Sequence, residues 1–296
     1  MPIKIAKNSG FCFGVKRAIQ MALDSSQRCE DIVTLGPIIH NPQVVEKLKD
    51  EGIESVDSIQ DIKGRATIIR SHGVKREVLE SLKKEKVEII NATCPYVSKT
   101  QDYARQLSQE GYQLFIMGDR SHPEVIALES YADSNAIVVG SPEDIPAKKY
   151  SRIGLISQTT RSMEELRAIV SALLLHCNEL RVMNTICNAT SIRQQSTLEL
   201  AKESDLMIVV GGKNSSNTKM LANISQKFIE TLHIETAQEL DVGMFEKVDR
   251  VGITAGASTP DWIILEVYQK ISECMGNIGT SINRVEDIPG FKEEEC

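Results

Sequence analysis

The hydrophobic pattern of the chain is a repeated alternation of short apolar runs and amphipathic stretches. Runs such as "LFIM" and "LMIVV" have the length of buried strands, and stretches such as "FGVKRAIQMAL" carry apolar residues at helical spacing. Glycine turns and polar residues separate the two kinds of segment. Strands that alternate with helices are typical of α/β units with parallel sheets, and the sequence therefore predicts this fold class.

A cysteine lies between a predicted strand and a predicted helix three times. The segments "NATCPYVSKTQ" and "NTICNATSIRQ" each place an Asn three residues before the Cys and a Gln seven residues after it. These residues are Asn91, Cys94, Gln101, Asn184, Cys187 and Gln194. Cys12 occupies the same kind of junction, between "IKIAKNSG" and "FGVKRAIQMAL". We interpret the three junctions as copies of an internal repeat.

A second phrase follows each cysteine at a constant distance. The segments "IVTLGPIIHNPQVVEKL", "LFIMGDRSHPEVIALES" and "LMIVVGGKNSSNTKMLANI" each predict a strand, a glycine turn, polar residues and a helix. Their key residues His40, His122 and Ser215 each lie 28 residues after the cysteine of their copy. Equal spacing in three otherwise different segments supports the repeat.

A third phrase closes each copy and contributes further polar residues. The segments are "ATIIRSHGVKREVLESL", "RIGLISQTTRSMEELRAI" and "RVGITAGASTPDWIILEV", with His72, Thr159 beside Thr160, and Ser258. All these residues follow predicted strands, and ligands of parallel sheets bind at the carboxyl ends of strands. The repeat therefore predicts three similar α/β modules around a pseudo-threefold axis, in which the three cysteines converge.

Domain boundaries are expected at the cysteine junctions. The predicted modules are 14–94, 95–187 and 188–285, with the N-terminal strand in 1–13 packing on the third module and 286–296 as a C-terminal tail. The acidic run of the tail is interpreted as a solvated end.

Composition and charge exclude several classes of protein. The chain has 296 residues, of which 41% are hydrophobic, and no apolar run reaches the length of a membrane span. The N-terminal segment lacks the apolar stretch of a secretory signal, so a cytoplasmic protein is expected. A net charge of −7 offers no basic face to nucleic acid. An anionic substrate would have to be held by local groups.

The seven cysteines point to metal ligation rather than to disulfides. Their number is odd and they are widely scattered, which argues against a disulfide framework. Structural zinc usually takes four ligands in closely spaced pairs, whereas iron–sulfur clusters are bound by thiolates. Three thiolates on a 4Fe-4S cluster leave one iron open to a substrate oxygen. We predict this cluster for Cys12, Cys94 and Cys187. The others, Cys29, Cys177, Cys274 and Cys296, are interpreted as ordinary side chains, since a lone Cys is usually a small buried hydrophobe.

The second and third phrases predict a site for an anion. The motifs "HNP", "SHGV", "SHPE", "KNSSN" and "GAST" are all expected to open helices, where backbone N–H groups attract anions. Taken singly, such residues are ordinary helix caps; converging on one axis, they favour a phosphate or diphosphate pocket. Glu124 either complements a helix dipole or serves as the acid of the site.

Seven motifs together resemble the 4-hydroxy-3-methylbut-2-enyl diphosphate reductase family, which ends the methylerythritol phosphate route to isoprenoids. They are "GFCFGVKRAI", "NATCPYVSKT", "SHPEV", "SQTT", "NTICNAT", "KNSSNT" and "GASTPDW". The match runs in order from about residue 8 to residue 285. The resemblance implies a trefoil of three α/β modules around a central 4Fe-4S cluster. The family pattern does not explain Cys296.

The resemblance also implies roles for individual residues. Cys12, Cys94 and Cys187 would be the three protein ligands of a 4Fe-4S cluster with one open iron, and Glu124 would relay protons. The diphosphate would be held by His40, His72, Ser215, Ser216, Asn217 and Ser258. His122 would lie between diphosphate and cluster. Thr159 is expected near the substrate hydroxyl, with Thr160 as the alternative.

The implied reaction is a reductive dehydroxylation of an allylic diphosphate to isopentenyl and dimethylallyl diphosphate. Because no dinucleotide-binding G-x-G-x-x-G turn is visible, electrons are expected from a ferredoxin or a flavodoxin. Two alternatives stay open. One is a quinolinate-synthase-like lyase with the same type of cluster, and the other is a non-enzymatic iron–sulfur sensor.

Overall fold

The structure is a computed structural model that describes residues 3–29, 31–62, 65–132, 136–276, 282 and 284–291. Residues 292–296, which include Cys296 and the acidic run of the predicted tail, lie outside these residues. In the described part, the helices are α1 (Phe13–Ser26), α2 (Pro42–Asp50), α3 (Arg76–Lys84), α4 (Pro95–Gln109), α5 (Pro123–Ser130), α6 (Met163–Leu173), α7 (Asn188–Glu203), α8 (Ser216–Gln226) and α9 (Asp261–Cys274).

The strands form three four-stranded sheets in which all the observed pairings are parallel. They are β1 (Ile3–Ile5), β2 (Ile32–Leu35), β3 (Glu54–Val56), β4 (Ala66–Ile69), β5 (Ile89–Asn91), β6 (Gln113–Met117), β7 (Ile137–Val139), β8 (Tyr150–Ser157), β9 (Cys177–Val182), β10 (Leu206–Val210), β11 (Thr231–Ile234) and β12 (Val251–Ala255). Helices alternate with these strands, which confirms the predicted α/β fold class.

The three sheets have the same internal order. Their orders are β1-β12-β10-β11, β5-β4-β2-β3 and β9-β8-β6-β7. In each sheet an edge strand leads to a cysteine, its neighbour belongs to the third phrase of the repeat, and the next strand belongs to the second phrase. The repeat found in the sequence is therefore a repeat of topology.

Packing divides the chain into two compact units. Unit 1 comprises the described residues of Met1–Phe13, His40–Val44 and Asn188–Cys296, and unit 2 those of Gly14–Ile39 and Val45–Cys187. Unit 1 contains the sheet of β1, β10, β11 and β12, and unit 2 contains the other two sheets. Each of the three predicted modules thus corresponds to one sheet, while the module boundaries themselves stay a prediction.

Continuous apolar strands supply both faces of the sheets. In β6, Leu114 and Ile116 belong to one apolar cluster, whereas Phe115 and Met117 belong to another. This split follows from the period of two residues along a strand, which sends alternate side chains to opposite faces. All five residues of β10 are likewise buried. Sheets covered on both faces leave their strand ends as the places where polar residues can gather.

Within the described ranges, no helix combines the length and the apolar character that crossing a membrane requires.

Candidate active site

The three repeated cysteines occupy equivalent positions at helix starts. Cys94 is the N-cap residue of α4, and Cys12 and Cys187 directly precede α1 and α7. Each of the three is half-buried, and none of the six cysteines in the described part of the chain forms a disulfide. Three thiols in matching positions and outside disulfides fit the donor set of an iron–sulfur cluster.

The backbone holds all three cysteines in the same way. Each cysteine N–H donates to the carbonyl of the residue two positions beyond the end of the neighbouring third-phrase strand. The bonds are Cys12 N to Ala257 O (3.1 Å), Cys94 N to Ser71 O (2.9 Å) and Cys187 N to Thr159 O (3.0 Å). The threefold repeat therefore extends to individual hydrogen bonds at the strand ends.

The repeated Asn residues shape the loops before two of the cysteines. The side-chain oxygen of Asn91 accepts a hydrogen bond from Thr93 N at 3.1 Å, and that of Asn184 accepts one from Ile186 N at 3.2 Å. A bond from the backbone two residues on is the Asx turn that Asn favours. The shared Asn is therefore explained by loop geometry.

The repeated Gln also has a packing role in the second copy. Gln101 is buried, and a Cβ placed on Gly73 would come within 2.5 Å of its Nε2. Gly73 has a φ of +74°, so this loop requires glycine for both its backbone conformation and the close approach of Gln101.

The second phrase places polar residues at three helix starts. His122 is the N-cap of α5, where its Nδ1 accepts from Glu124 N at 3.2 Å. Ser215 is the N-cap of α8 and accepts from Thr218 N at 3.3 Å. Before α2, Asn41 rather than His40 caps the helix, through a bond of 3.0 Å from Val44 N.

Two of the five expected helix starts are placed differently by the structure. The "SHGV" motif precedes Lys75, the N-cap of α3, and the "GAST" motif precedes Pro260, the N-cap of α9. The turn at Gly73 delays the start of the first helix, and the restricted backbone of Pro260 fixes the start of the second. His72 and Ser258 therefore lie in loops, and any contact with an anion would come from these side chains or their loops.

Unit 1 gathers several of the predicted anion-binding residues. The Oδ1 atom of Asn217, near the start of α8, accepts from Ala257 N at 3.0 Å, which joins the second phrase to the third. The hydroxyl of Ser258 donates to the His40 carbonyl at 3.1 Å. Ser216 is the first residue of α8. Among the described residues, the Nδ2 atom of buried Asn217 has no hydrogen-bond partner, so a donor of this site is left unsatisfied.

Unit 2 holds a buried carboxyl group at the start of α5. Glu124 is 1% exposed, and its carboxylate accepts two hydrogen bonds from Thr159, at 2.7 Å from the backbone N and at 2.9 Å from Oγ1. The carbonyl of Thr159 in turn accepts the bond from Cys187 N. One residue thus links the carboxyl group to a cysteine loop. The neighbouring Thr160 hydroxyl accepts from Gln158 Nε2 at 3.1 Å.

Burial changes the acidity of this carboxyl group. Desolvation raises the pKa of Glu124 from 4.5 to about 7, although the two hydrogen bonds from Thr159 oppose the increase. A carboxylate that only complemented a helix dipole would gain from being ionised and solvated. A carboxyl group with a pKa near neutrality can instead exchange a proton at physiological pH.

Two of the predicted histidines lie together in unit 2. The rings of His72 and His122 meet edge to face, with centroids 5.4 Å apart and an interplanar angle of 82°. His122 is buried and is bonded to the backbone of Glu124. The structure therefore brings His72, His122, Glu124 and Thr159 into one continuous group of contacts.

Several supporting residues were not identified from the sequence. Fully buried Gln158 accepts from Asp119 N at 3.0 Å, which connects the second and third phrases beside Thr159. Thr185 donates to Ser157 O at 2.6 Å and fixes the loop before Cys187. Gln158 is part of the "SQTT" motif, but its position in that motif does not indicate a partner 39 residues away.

The chain is similar to known proteins over most of its length. The family model described as LytB protein matches residues 3–272. The 4-hydroxy-3-methylbut-2-enyl diphosphate reductase of Geobacter sulfurreducens is 48% identical over 277 residues, covering 92% of the chain and 98% of the relative. The enzyme of the same name from Geotalea uraniireducens is 46% identical over 275 residues and covers 92% and 98% respectively.

Solved structures of diphosphate reductases are also similar to the chain. A structure of (E)-4-hydroxy-3-methyl-but-2-enyl diphosphate reductase, described as the terminal enzyme of the non-mevalonate pathway, has a TM-score of 0.69 at 46% identity. It covers 92% of this chain, and all of its own chain is matched. The E-1-hydroxy-2-methyl-but-2-enyl-4-diphosphate reductase of Plasmodium falciparum has a TM-score of 0.83 at 28% identity, covering 99% and 91%. The chain belongs to the LytB family.

Proposed function

We propose that the chain catalyses the reductive dehydroxylation of 4-hydroxy-3-methylbut-2-enyl diphosphate. The reaction takes up two electrons and two protons, breaks the allylic C–O bond, and releases water with isopentenyl or dimethylallyl diphosphate. Relatives named for this reductase match almost their whole length to the chain, which makes it an oxidoreductase. Their names support neither of the alternatives, the lyase and the sensor.

The cofactor of this proposal is a 4Fe-4S cluster held by Cys12, Cys94 and Cys187. Support comes from the matching positions of the three thiols, their half-buried state and the resemblance to an iron–sulfur family. When bound, such a cluster supplies electrons, and its open iron supplies Lewis acidity towards the allylic hydroxyl. The chain's part is to present three thiolates from rigid strand-to-helix junctions.

The diphosphate is assigned to a set of neutral donors and histidines. The set consists of His40, His72, Ser215, Ser216, Asn217 and Ser258. Within unit 1, the unpartnered Nδ2 of Asn217 and the start of α8 support this assignment, because backbone N–H groups and the helix dipole favour an anion there. These contacts bind and orient the substrate. Asn217 also connects its helix to the loop that carries Ser258.

The observation that carries the proposal is the buried Glu124 carboxyl, whose raised pKa lies near neutrality. Thr159 fixes the orientation of both carboxylate oxygens, and the adjacent His122 is fixed through the backbone of Glu124. Glu124 can therefore hold and release a proton at a defined position. In this assignment Thr159 also lies near the substrate hydroxyl, and His122 lies between the diphosphate and the cluster.

The remaining partners follow from the chemistry. Each turnover needs two electrons from outside the chain, for which a ferredoxin or a flavodoxin is the proposed donor. The cytoplasmic location expected from the sequence stays a prediction.

An anaerobic assay tests the function. The full chain is loaded with iron and sulfide and mixed with 4-hydroxy-3-methylbut-2-enyl diphosphate and a reduced viologen dye, and the products are identified by mass spectrometry. Formation of isopentenyl and dimethylallyl diphosphate, with two dye molecules oxidised per product, is expected. Protein that carries iron and sulfide but forms no product above the protein-free control would refute the proposal.

A further inference from the structure

Arg193 is an unusual side chain because it is a buried cation close in structure to a cysteine loop. It lies on α7, six residues after Cys187, and is 2% exposed. Its Nη2 donates to the carbonyl of Gly10 at 2.8 Å, two residues before Cys12. Gly10 has a φ of +97°, a conformation that few other residues adopt, so the orientation of its carbonyl is a specific feature of this loop.

The next turn of α7 holds the same loop. The hydroxyl of Ser196 donates to Lys7 O at 2.8 Å, and the hydroxyls of Thr197 and Thr254 are 2.7 Å apart. Together these contacts attach the segment that leads to Cys12 to the helix that follows Cys187.

Arg17 makes a corresponding contact in unit 2. It lies on α1, five residues after Cys12, and its Nη1 donates to the carbonyl of Thr93 at 3.2 Å. Thr93 is buried and directly precedes Cys94. In both cases an arginine on the helix behind one cysteine holds a backbone carbonyl in the loop of a different cysteine.

The third cysteine loop is held by a neutral pair. Thr185 donates to Ser157 O at 2.6 Å and accepts from Ser157 N at 2.8 Å, which fixes the approach to Cys187. This loop shows that the backbone can be fixed without a cation. The arginines of the other two loops therefore add a positive charge as well as a hydrogen bond.

Burial and charge favour a specific task for Arg193, and charge favours the same task for the partly buried Arg17. Burying a guanidinium is costly unless it is compensated, and a hydrogen bond from a charged donor is about twice as strong as a neutral one. A cluster held by three thiolates would bring concentrated negative charge, in a chain whose net charge is already −7. A guanidinium fixed to the loop can offset part of that charge.

We propose that Arg193 and Arg17 are positioning residues that lock the loops of Cys12 and Cys94, respectively, in the conformation that presents the thiols to the cluster. Each acts from the helix that follows a different ligand cysteine, and the Arg193 contact lies within unit 1 and the Arg17 contact within unit 2. The ligand role of the cysteines rests on the proposed function, whereas the locking of the loops does not.

Amide hydrogen exchange on the full chain without cluster tests the locking directly. The amides of Cys12 and Cys94 each donate to a carbonyl of a neighbouring loop, so their protection reports loop opening. Arg193→Met should make the Cys12 amide exchange about tenfold faster or more while the Cys94 amide is unchanged, because a charge-assisted bond is lost. Arg17→Met should do the reverse. Matched controls on the same two helices, Lys202→Met and Lys16→Met, should change neither amide.

A second measurement uses the loaded chain. Under a constant excess of an iron chelator, the visible absorption should decay several-fold faster in both arginine variants than in the lysine controls. Arg193→Lys, which retains the charge but not the guanidinium geometry, should lie between the parent and Arg193→Met.

A positioning role predicts that each arginine variant speeds exchange at one cysteine amide and not at the other, whereas a general loss of stability would speed exchange at both. Uniformly faster exchange throughout either arginine variant, or unchanged exchange at the cysteine amides, would overturn the proposal. If Arg193→Met does not fold, the Arg17 variant decides alone, since Arg17 is only partly buried. If the reductase assay fails but each variant still affects only its own cysteine amide, the proposed function is refuted. The positioning role of the two arginines is then still supported.

Discussion

Two polar regions of the molecule differ in how fully their hydrogen bonds are satisfied. In unit 1, the start of α8 offers neutral donors, and the Nδ2 of buried Asn217 has no hydrogen-bond partner in the part of the chain that the structure describes. In unit 2, the buried carboxylate of Glu124 accepts two bonds from Thr159, and desolvation raises its pKa to about 7. The first region thus has an unsatisfied donor, whereas each carboxylate oxygen of the second accepts a hydrogen bond.

This difference indicates different tasks. Unsatisfied donors at a helix start gain most when an anion binds, so the first region suits the diphosphate, which carries its charge throughout the reaction. A carboxyl group fixed by its neighbours and titrating near neutrality suits proton transfer, which occurs only during the reaction. We therefore assign binding to the Asn217 region and proton transfer to the Glu124 region.

The largest effect is expected from removing the proposed cluster, because both regions need it for turnover. Replacing the thiolate ligand in Cys94→Ser should abolish or severely reduce cluster assembly, because a hydroxyl is a poor ligand for the irons of the cluster. Iron content and visible absorption of the anaerobic protein measure this. The matched control Cys29→Ser should keep both. A Cys94→Ser protein with the parent's iron content would contradict the three-cysteine assignment.

The second prediction concerns a substitution in the Glu124 region alone. Glu124→Gln retains the shape of the side chain but cannot release a proton, so turnover should fall by a factor of roughly 10² or more. Turnover with a reduced dye is the measurement, and an unchanged response of the cluster spectrum to substrate is its control. Turnover close to that of the parent would remove Glu124 from the reaction.

The third prediction concerns stability. Because burial raises the pKa of Glu124 from 4.5 to about 7, the folded state favours the protonated form. The contribution of Glu124 to the free energy of unfolding should be complete below pH 4.5. It should be lost progressively as the pH rises to about 7, and the total loss should be about 3 kcal/mol. Urea unfolding of the cluster-free chain should show this decrease relative to Glu124→Gln, whose amide does not titrate. Parallel pH profiles for the two proteins would show that the pKa is not raised.

The smallest effect is expected in the Asn217 region. Asn217→Ala removes one donor to a charged group, at a cost of about 1.5 to 3 kcal/mol in binding. The loss should raise KM and leave kcat nearly unchanged, because the diphosphate is held equally in the ground and transition states. Binding of a diphosphate product analogue provides the direct check. Unchanged affinity would exclude Asn217 from the anion site.

Sequence periodicity was sufficient for the fold because it is a local property. The constant offset of 28 residues marked the strand, turn and helix that carry His40, His122 and Ser215, and the structure has those elements in all three copies. Helix starts were less predictable. Lys75 and Pro260 are the true N-caps in two phrases, since a glycine turn and a proline shift the start beyond the polar motif.

Long-range pairings could not be predicted in the same way. Glu124 and Thr159 are 35 residues apart, and Arg193 and Gly10 are 183 residues apart, so nothing local in the chain indicates their bonds. The pKa of Glu124 depends on burial, which arises only when α5 packs on its sheet. The sequence predicts Glu124 as an acid from its place at a helix start, and the burial of its carboxyl group supports that prediction.

The most direct test of the separation between binding and proton transfer is kcat/KM of the double variant Asn217→Ala with Glu124→Gln, compared with both single variants. If the two regions act independently, the two losses in transition-state stabilisation should add within about 0.5 kcal/mol, and the double variant should show the product of the single effects. A double variant no slower than Glu124→Gln alone would show that the two residues act as one unit, and would contradict the separate assignment.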